Sequence, residues 1–338
     1  MPISGGYDLK LKRMHTDLVF LCGFPSSGTD LLKNVMNAHP DICIRGEFPF
    51  LPHLAREYGA AVPGWRAQDA VAALQRIDVY HNLGQPGLVV SPLQAEYELA
   101  DLYAAMLTDE PCKWTGNKTP QNTEHIEQLC GLFPKAKFVL IVRDIRDIAL
   151  SWSKKWGKHK FLCAHKWHVR MQRGDAQLRG LEATACLVIK YEDLLADLEG
   201  VAKQLCDFLE LEFHPAMLDY HTRVQQTVEG KLNYGKALIR DNSNKWRREL
   251  TSRQIRRIEE IAFPTLQWFH YPITQATGYR PLTRIETCAG YLWDVIALLW
   301  VGNRAIEQNR LRHRCKTLIF EGRKLLSRLC TGFSHAAK

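Results

Sequence analysis

The feature that most constrains this chain is a change of pattern between Leu18 and Pro40. Leu18-Val-Phe-Leu-Cys22 is continuously apolar, as suits a strand buried on both faces. Gly23, Pro25 and Gly28 interrupt the run, and Leu31, Leu32, Val35 and Met36 then recur at helical spacing until His39-Pro40 ends the pattern. A buried strand, a glycine-bearing turn and a helix in that order open a parallel βαβ arrangement. Two more buried strands, Lys137 to Val142 and Cys186 to Lys190, precede helical stretches at Ile145 to Lys154 and Leu194 to Leu209. The alternation predicts an α/β fold of three layers, a central parallel sheet flanked by helices.

Between Phe48 and Glu110 the pattern is less regular, with helix-compatible stretches at Gln68 to Arg76 and Glu96 to Met106. Thr251-Ser-Arg-Gln254 reads as a capping box opening a helix that carries Ile255, Ile258, Ile261 and Ala262 on one face and closes the domain near Tyr271. The organisation expected is an N-terminal arm over 1–16, a main α/β domain over 17–280 and a basic amphipathic helical extension over 281–338. The net charge of +9 is concentrated in that extension: Gly302 to Lys338 holds nine Lys/Arg against two Glu, and the rest is near neutral. A basic tail on a neutral domain is not the footprint of a nucleic-acid binder.

Met1 to Asp17 is polar and lacks the apolar core of a signal peptide, and no run of eighteen apolar residues occurs. The ten cysteines stand singly, without a CxxC pair, and read as reduced, mostly buried thiols. Both observations point to a cytoplasmic location. Cys163, His165 and His168 lie close in sequence without a second cluster at zinc spacing, so no metal site is expected.

Gly23-Phe-Pro-Ser-Ser-Gly28-Thr29 between strand and helix aims backbone N–H groups and a helix N-terminus at an anion, although many α/β units need such a turn for structural reasons alone. The glycine spacing is P-loop-like. Thr29-Asp30 stands where a nucleotide P-loop needs Lys-Ser/Thr, which disfavours an ordinary ATPase or kinase. Lys118 lies on a short polar segment, Lys113 to Pro120, just before a helical stretch at Glu124 to Leu132. It is either a solvated lysine or a cation for a transferring group. Arg143 directly follows a buried strand, with Ser151 eight residues on, and suits a second phosphate or a structural pair with Asp144 or Asp147. Glu47 is a surface charge or a general base. Trp152, Trp156 and Trp167, near Lys154, Lys155 and Lys158, suit an acceptor surface or a helix core.

Taken together, these segments resemble the PAPS-dependent sulfotransferase superfamily, especially protein-tyrosine and bacterial sulfotransferases, over roughly Leu18 to Tyr271. Pro25-Ser-Ser-Gly-Thr-Asp30 is similar to the family loop that holds the 5′-phosphosulfate. Asn37-Ala-His-Pro-Asp41 running to Gly46-Glu47 is similar to the segment ending in the catalytic glutamate, and Asn117-Lys118-Thr-Pro120 to the one carrying the catalytic lysine. Leu132-Phe-Pro-Lys-Ala-Lys-Phe138, continuing to Arg143 and Ser151, resembles the 3′-phosphate segment most closely. Tyr191-Glu-Asp-Leu194 resembles a strand-end tyrosine near the nucleotide, and Asn242-Ser-Asn-Lys245-Trp246 a late closing loop.

The resemblance implies PAPS (3′-phosphoadenosine 5′-phosphosulfate) as co-substrate, PAP as product and no metal. Glu47 and Lys118 are the implied catalytic residues; Ser26, Ser27, Gly28, Thr29, Asp30, Arg143, Ser151, Tyr191 and Lys245 would hold the nucleotide. The acceptor would carry a hydroxyl or amine on a glycan, lipid or peptide. Ser26 stands where the family has Lys or Arg, and Asp30 where it has Thr or Ser; both changes disfavour an anionic ligand. Lys118, the helix N-terminus and Lys33 are the compensations available. The alternatives are a catalytically silent PAP/PAPS-binding homologue and, third, a nucleotide-dependent phosphotransferase. Residues 287–329 carry an apolar stripe (Leu311, Cys315, Leu318, Gly322, Leu325, Leu329) flanked by basic residues. That pattern fits either peripheral membrane contact or a hairpin packed on the domain. Oligomeric state is not legible.

Overall fold

The computed structural model describes residues 17–47, 51–52, 66, 68–69, 72, 99–107, 112–222 and 241–302. They divide between two compact units, one of residues 1–143 with 170–243 and the other of 144–169 with 244–338.

The first unit is built on five parallel strands: β1 Asp17–Gly23, β2 Ile42–Arg45, β3 Trp114–Lys118, β4 Lys137–Val142 and β5 Cys186–Lys190, in the order β2-β3-β1-β4-β5. Successive side chains of β1 alternate between faces. Val19 and Leu21 join Leu32, Val35 and Met36 of α1 (Thr29–Asn37) in one core. Phe20 faces the other way and stacks on Tyr103 of α2 (Leu99–Leu107) and on Phe138. Phe133, just after α3 (Ile126–Leu132), closes that second aromatic cluster. Helices on both faces bury both, which is why β1 and β4 read as unbroken apolar runs. From β1 the chain crosses to β2 and β3 on one side and then to β4 on the other. The loop after β1 therefore lies at the switch point, where α/β sheets open a crevice.

Several expectations change in detail. β3 is a strand, not a polar connection; Trp-Thr-Gly-Asn-Lys lacks an apolar period because its polar groups are satisfied inside. Thr115 Oγ1 donates to the Leu107 carbonyl, 2.8 Å away, and Asn117 Nδ2 to the Tyr103 hydroxyl, 3.1 Å away. Gly116 is required there, because a Cβ would lie 1.7 Å from the Val19 carbonyl oxygen of the neighbouring strand. The helix expected over Leu194 to Leu209 is two, α6 (Tyr191–Ala196) and α7 (Leu198–Phe208); Asp197 breaks the run and caps the second by accepting from Gly200 N.

Cys43 on β2 and Cys112 ahead of β3 form a disulfide, their Cα atoms 6.0 Å apart. The cysteines are thus not all reduced thiols. Such bonds persist in oxidising compartments, so the cysteines cease to argue for a reducing one. The stretch Gln68 to Arg76 lies almost wholly outside the described residues.

The second unit contains α4 (Ile145–Trp156), the first half of α5 (Lys160–Leu178), the short α8 (Trp246–Glu249), α9 (Ser252–Trp268) and α10 (Arg284–Gly302). The capping box at Thr251 and Gln254 is formed as the sequence indicates. The unit's centre is the fully buried Arg146. Its guanidinium is bidentate to Asp144, donates to Glu259 at 2.5 Å and to the Pro272 carbonyl at 2.8 Å, and stacks 3.7 Å from the Trp246 ring centroid. Asp144 also caps α4, and Asp147 accepts from the backbone N–H groups of Asn244 and Trp246. Asp144 and Asp147 thus belong to a structural network built around Arg146, not to the pair with Arg143 that the sequence allowed.

Burial alone raises the Glu259 carboxyl, but donors from Gln275, Ala276 and Thr274 outweigh it and hold the group below the usual carboxylate range. Its contribution to stability is then present above the unfolded value of about 4.3 and is lost as pH falls through the depressed folded value. Glu259→Ala is expected to destabilise the protein by roughly 3–5 kcal/mol, because it removes one of the two carboxylates paired with a buried guanidinium and the acceptor of three backbone N–H groups. Denaturant unfolding at pH 7 measures the loss, and the gap from wild type should narrow in acid.

Candidate functional site

The carboxyl ends of the five strands of the first unit deliver the candidate residues. β1 runs into the loop 24–28, β2 leads within two residues to Glu47, β3 ends on Lys118, β4 on the residue before Arg143, and β5 on the residue before Tyr191. Parallel strands all point the same way, so residues that follow them collect at one edge.

The loop is locally strained toward the left-handed region: Ser26 has φ 71° and Gly28 φ 100°. Ser27 N donates to the Phe24 carbonyl at 2.9 Å, and Gly28, as N-cap of α1, receives Leu32 N at 3.0 Å. No side chain caps this helix, which leaves first-turn N–H groups of Thr29 and its neighbours available to an anion. At the loop's entry, Thr123 Oγ1 accepts from Gly23 N at 2.8 Å and donates to the Gly23 carbonyl at 2.9 Å. Sequence reasoning missed this clamp; its only signal is a threonine shortly after the Asn117-Lys118-Thr-Pro segment. Gly28 also meets the Tyr191 ring so closely that a Cβ would lie 2.3 Å from it.

Lys118 is the buried cation of the site. Its Nζ lies 2.8 Å from Glu47 Oε1 and 2.8 Å from Asp30 Oδ1, with its side chain only 3% exposed against about two-fifths for each carboxylate. Burial works against the ammonium. Attraction to Asp30, then to Glu47, outweighs it and holds the Lys118 pKa above its ordinary value, so the charge persists at neutral pH.

Arg143 is held by a second set of contacts. Its Nη1 donates to the Ser26 carbonyl at 3.2 Å, Nη2 donates to the Asn242 carbonyl at 2.7 Å, and the guanidinium sits 4.2 Å from the Tyr191 ring centroid. Asn242 Nδ2 in turn donates to the Tyr191 hydroxyl at 2.7 Å. Arg143 Nε and Ser27 Oγ are buried polar atoms without a hydrogen-bond partner. Orphaned donors at a strand-to-helix turn fit a phosphate-bearing ligand.

Thus Ser26, Ser27, Gly28, Thr29, Asp30, Glu47, Lys118, Arg143 and Tyr191 belong to the first unit and are brought to one edge. Ser151, half-buried on α4, and Lys245, just before α8, belong to the second. Trp152 and Trp167 are buried, and Trp156 is exposed beside Lys155 and Lys158. Among the described residues no group of His, Cys, Asp and Glu could hold a metal ion; His168 is bonded to Thr265 instead.

The Sulfotransferase family model matches residues 18–215, and a Sulfotransferase domain model matches 178–269. The chain belongs to the sulfotransferase family. It is 28% identical over 211 residues to Protein-tyrosine sulfotransferase 1 of Danio rerio, an alignment covering 60% of this chain and 56% of that protein. To the Protein-tyrosine sulfotransferase of Drosophila melanogaster it is 24% identical, covering 60% and 40%. The chain thus spans about half the length of these curated relatives. Among solved structures it is similar to the sulfotransferase domain of the Synechococcus PCC 7002 olefin synthase, with a TM-score of 0.53 at 21% identity, covering 78% of this chain and 99% of that one. The shared feature at this distance is the fold, a central parallel sheet flanked by helices. In a sulfotransferase built this way Gly28 has no substitute: Gly28→Ala is expected to cost at least about 1–2 kcal/mol from the left-handed backbone alone, with the Tyr191 clash added. Thermal unfolding read by circular dichroism checks it.

Proposed function

We propose that the protein is a PAPS-dependent sulfotransferase that delivers the sulfuryl group to a hydroxyl or amine acceptor, with Glu47 as base and Lys118 as the charge-stabilising residue. The observation that carries the reading is the buried Lys118 ammonium, 2.8 Å from Glu47 and 2.8 Å from Asp30 in the first turn of α1. When bound, PAPS supplies an activated sulfuryl group on a good leaving phosphate. Glu47 accepts the acceptor's proton as the acceptor's oxygen or nitrogen bonds to sulfur. Lys118, the Ser27 hydroxyl and the N–H groups of Gly28 and Thr29 neutralise the charge that grows on the 5′-phosphate as its bond to sulfur breaks. Arg143, with the orphaned Nε, would take the 3′-phosphate and Tyr191 would line the nucleotide; for Ser151 and Lys245 the role rests on the family resemblance alone. The protein supplies the positive charge itself, so the step needs no metal.

PAP is expected to raise the melting temperature more than AMP does, since only PAP carries the 3′-phosphate that Arg143 reads. Equal shifts would remove the nucleotide assignment. Glu47→Ala and Lys118→Ala should each lower transfer about a hundredfold or more, with PAP binding largely kept in Glu47→Ala. PAP binding without turnover on any hydroxyl or amine acceptor would favour the silent homologue, for which the substitution of Ser26 for a cation speaks.

For the C-terminal region we propose peripheral contact with an anionic membrane. On α10, Tyr291, Asp294 and Ala297 are buried, while Ile285, Leu292, Trp293 and Ile296 form an exposed apolar face. None of the described helices is long and apolar enough to cross a membrane. The sequence after it is strongly basic, and the stripe expected from Leu311 to Leu329 lies outside the described residues. A helix with an apolar outer face next to basic residues suits the headgroup boundary. The full chain should float with anionic vesicles at low salt, less at high salt, and poorly with neutral ones; failure to bind any vesicle rejects the contact.

A further inference from the structure

Asp30 occupies two positive features at once. It sits in the first turn of α1, where the helix dipole favours an anion, and its Oδ1 lies 2.8 Å from the Lys118 ammonium. Those are the features that the Proposed function assigns to an incoming 5′-phosphate, and the present inference rests on that reading. The same loop carries Ser26 in place of a basic residue, so no cation on the loop itself offsets the carboxylate.

We infer that Asp30 is an internal competing anion, an affinity-determining residue that pairs with Lys118 and must share it when a nucleotide phosphate binds. The phosphate displaces part of an existing ion pair and also meets a carboxylate in the same helix turn. Nucleotide binding is weakened on both counts. The same competition acts when the product leaves, because Asp30 offers Lys118 a partner as the phosphate departs. Product release limits turnover in many enzymes, so a carboxylate here favours exchange over retention. Glu47 is the second partner of Lys118, which keeps the ammonium aimed at the reacting group while Asp30 lets go.

The test is calorimetric titration of PAP into wild type, Asp30→Asn and Asp30→Thr, the last restoring the residue type usual in the family. Unfolding curves establish that each variant folds. Removing one like charge in the same helix turn should lower the Kd for PAP about tenfold in both variants. The change for adenosine, which lacks phosphate, should be nil. PAP affinity that is equal or weaker in both folded variants overturns the inference while leaving the nucleotide assignment standing. Absence of PAP binding by wild type and variants alike overturns both; binding that appears only in the variants supports the competition in its strongest form.

Discussion

A single buried ammonium organises the edge of the sheet where this protein's chemistry is concentrated. Lys118 ends β3 with almost no contact with water, and a charge in that position is tolerable only if it is paired. Asp30 and Glu47 supply the pairing, from the helix after β1 and from the turn after β2. Three chain segments far apart in sequence are thereby fixed against each other. Because the carboxylates are partly exposed and the lysine is not, the carboxylates face solvent and the cation lies beneath them as a floor.

That floor depends on how its strands are held. β2, the edge strand that carries Glu47, is short, and its pairing with β3 runs from Ile42 opposite Trp114 to Arg45 opposite Asn117. Asn37 adds a side-chain bracket by accepting from Ile44 N at 2.6 Å and donating to the Ile44 carbonyl at 2.8 Å. The disulfide between Cys43 and Cys112 ties the same two strands near their start. An edge strand otherwise prone to fray is thus fixed by backbone, side chain and covalent bond.

The second unit uses buried charge differently. Arg146 is surrounded by Asp144, Glu259, a carbonyl and the face of Trp246, which leaves it no means of meeting a ligand. Two arginines three residues apart, Arg143 and Arg146, therefore have opposite fates. One retains an orphaned donor beside a phosphate-type loop, and the other is consumed by structure. Nothing in the Arg-Asp-Ile-Arg-Asp string distinguishes them except that Arg143 comes first after the strand.

What the sequence determined by itself is the class of fold and the identity of the loop. Apolar runs such as Leu18 to Cys22 and Lys137 to Val142 report burial on both faces, and glycines report backbone that other residues adopt only at a cost, because both are local properties. Arg143 and Tyr191 were legible because each directly follows an apolar strand, whereas Glu47 and Lys118 were indicated only by the order of motifs in the family resemblance. The tertiary structure alone decided that Lys118 sits on a strand, that Asp30 is its partner, that Cys43 meets Cys112, and that Thr123 and Asn242 brace the loop and the tyrosine. Those facts turn on which strands become neighbours. A polar strand like Trp114–Lys118 has no hydrophobic period to announce it, because the partners that satisfy its side chains come from segments brought beside it only by folding.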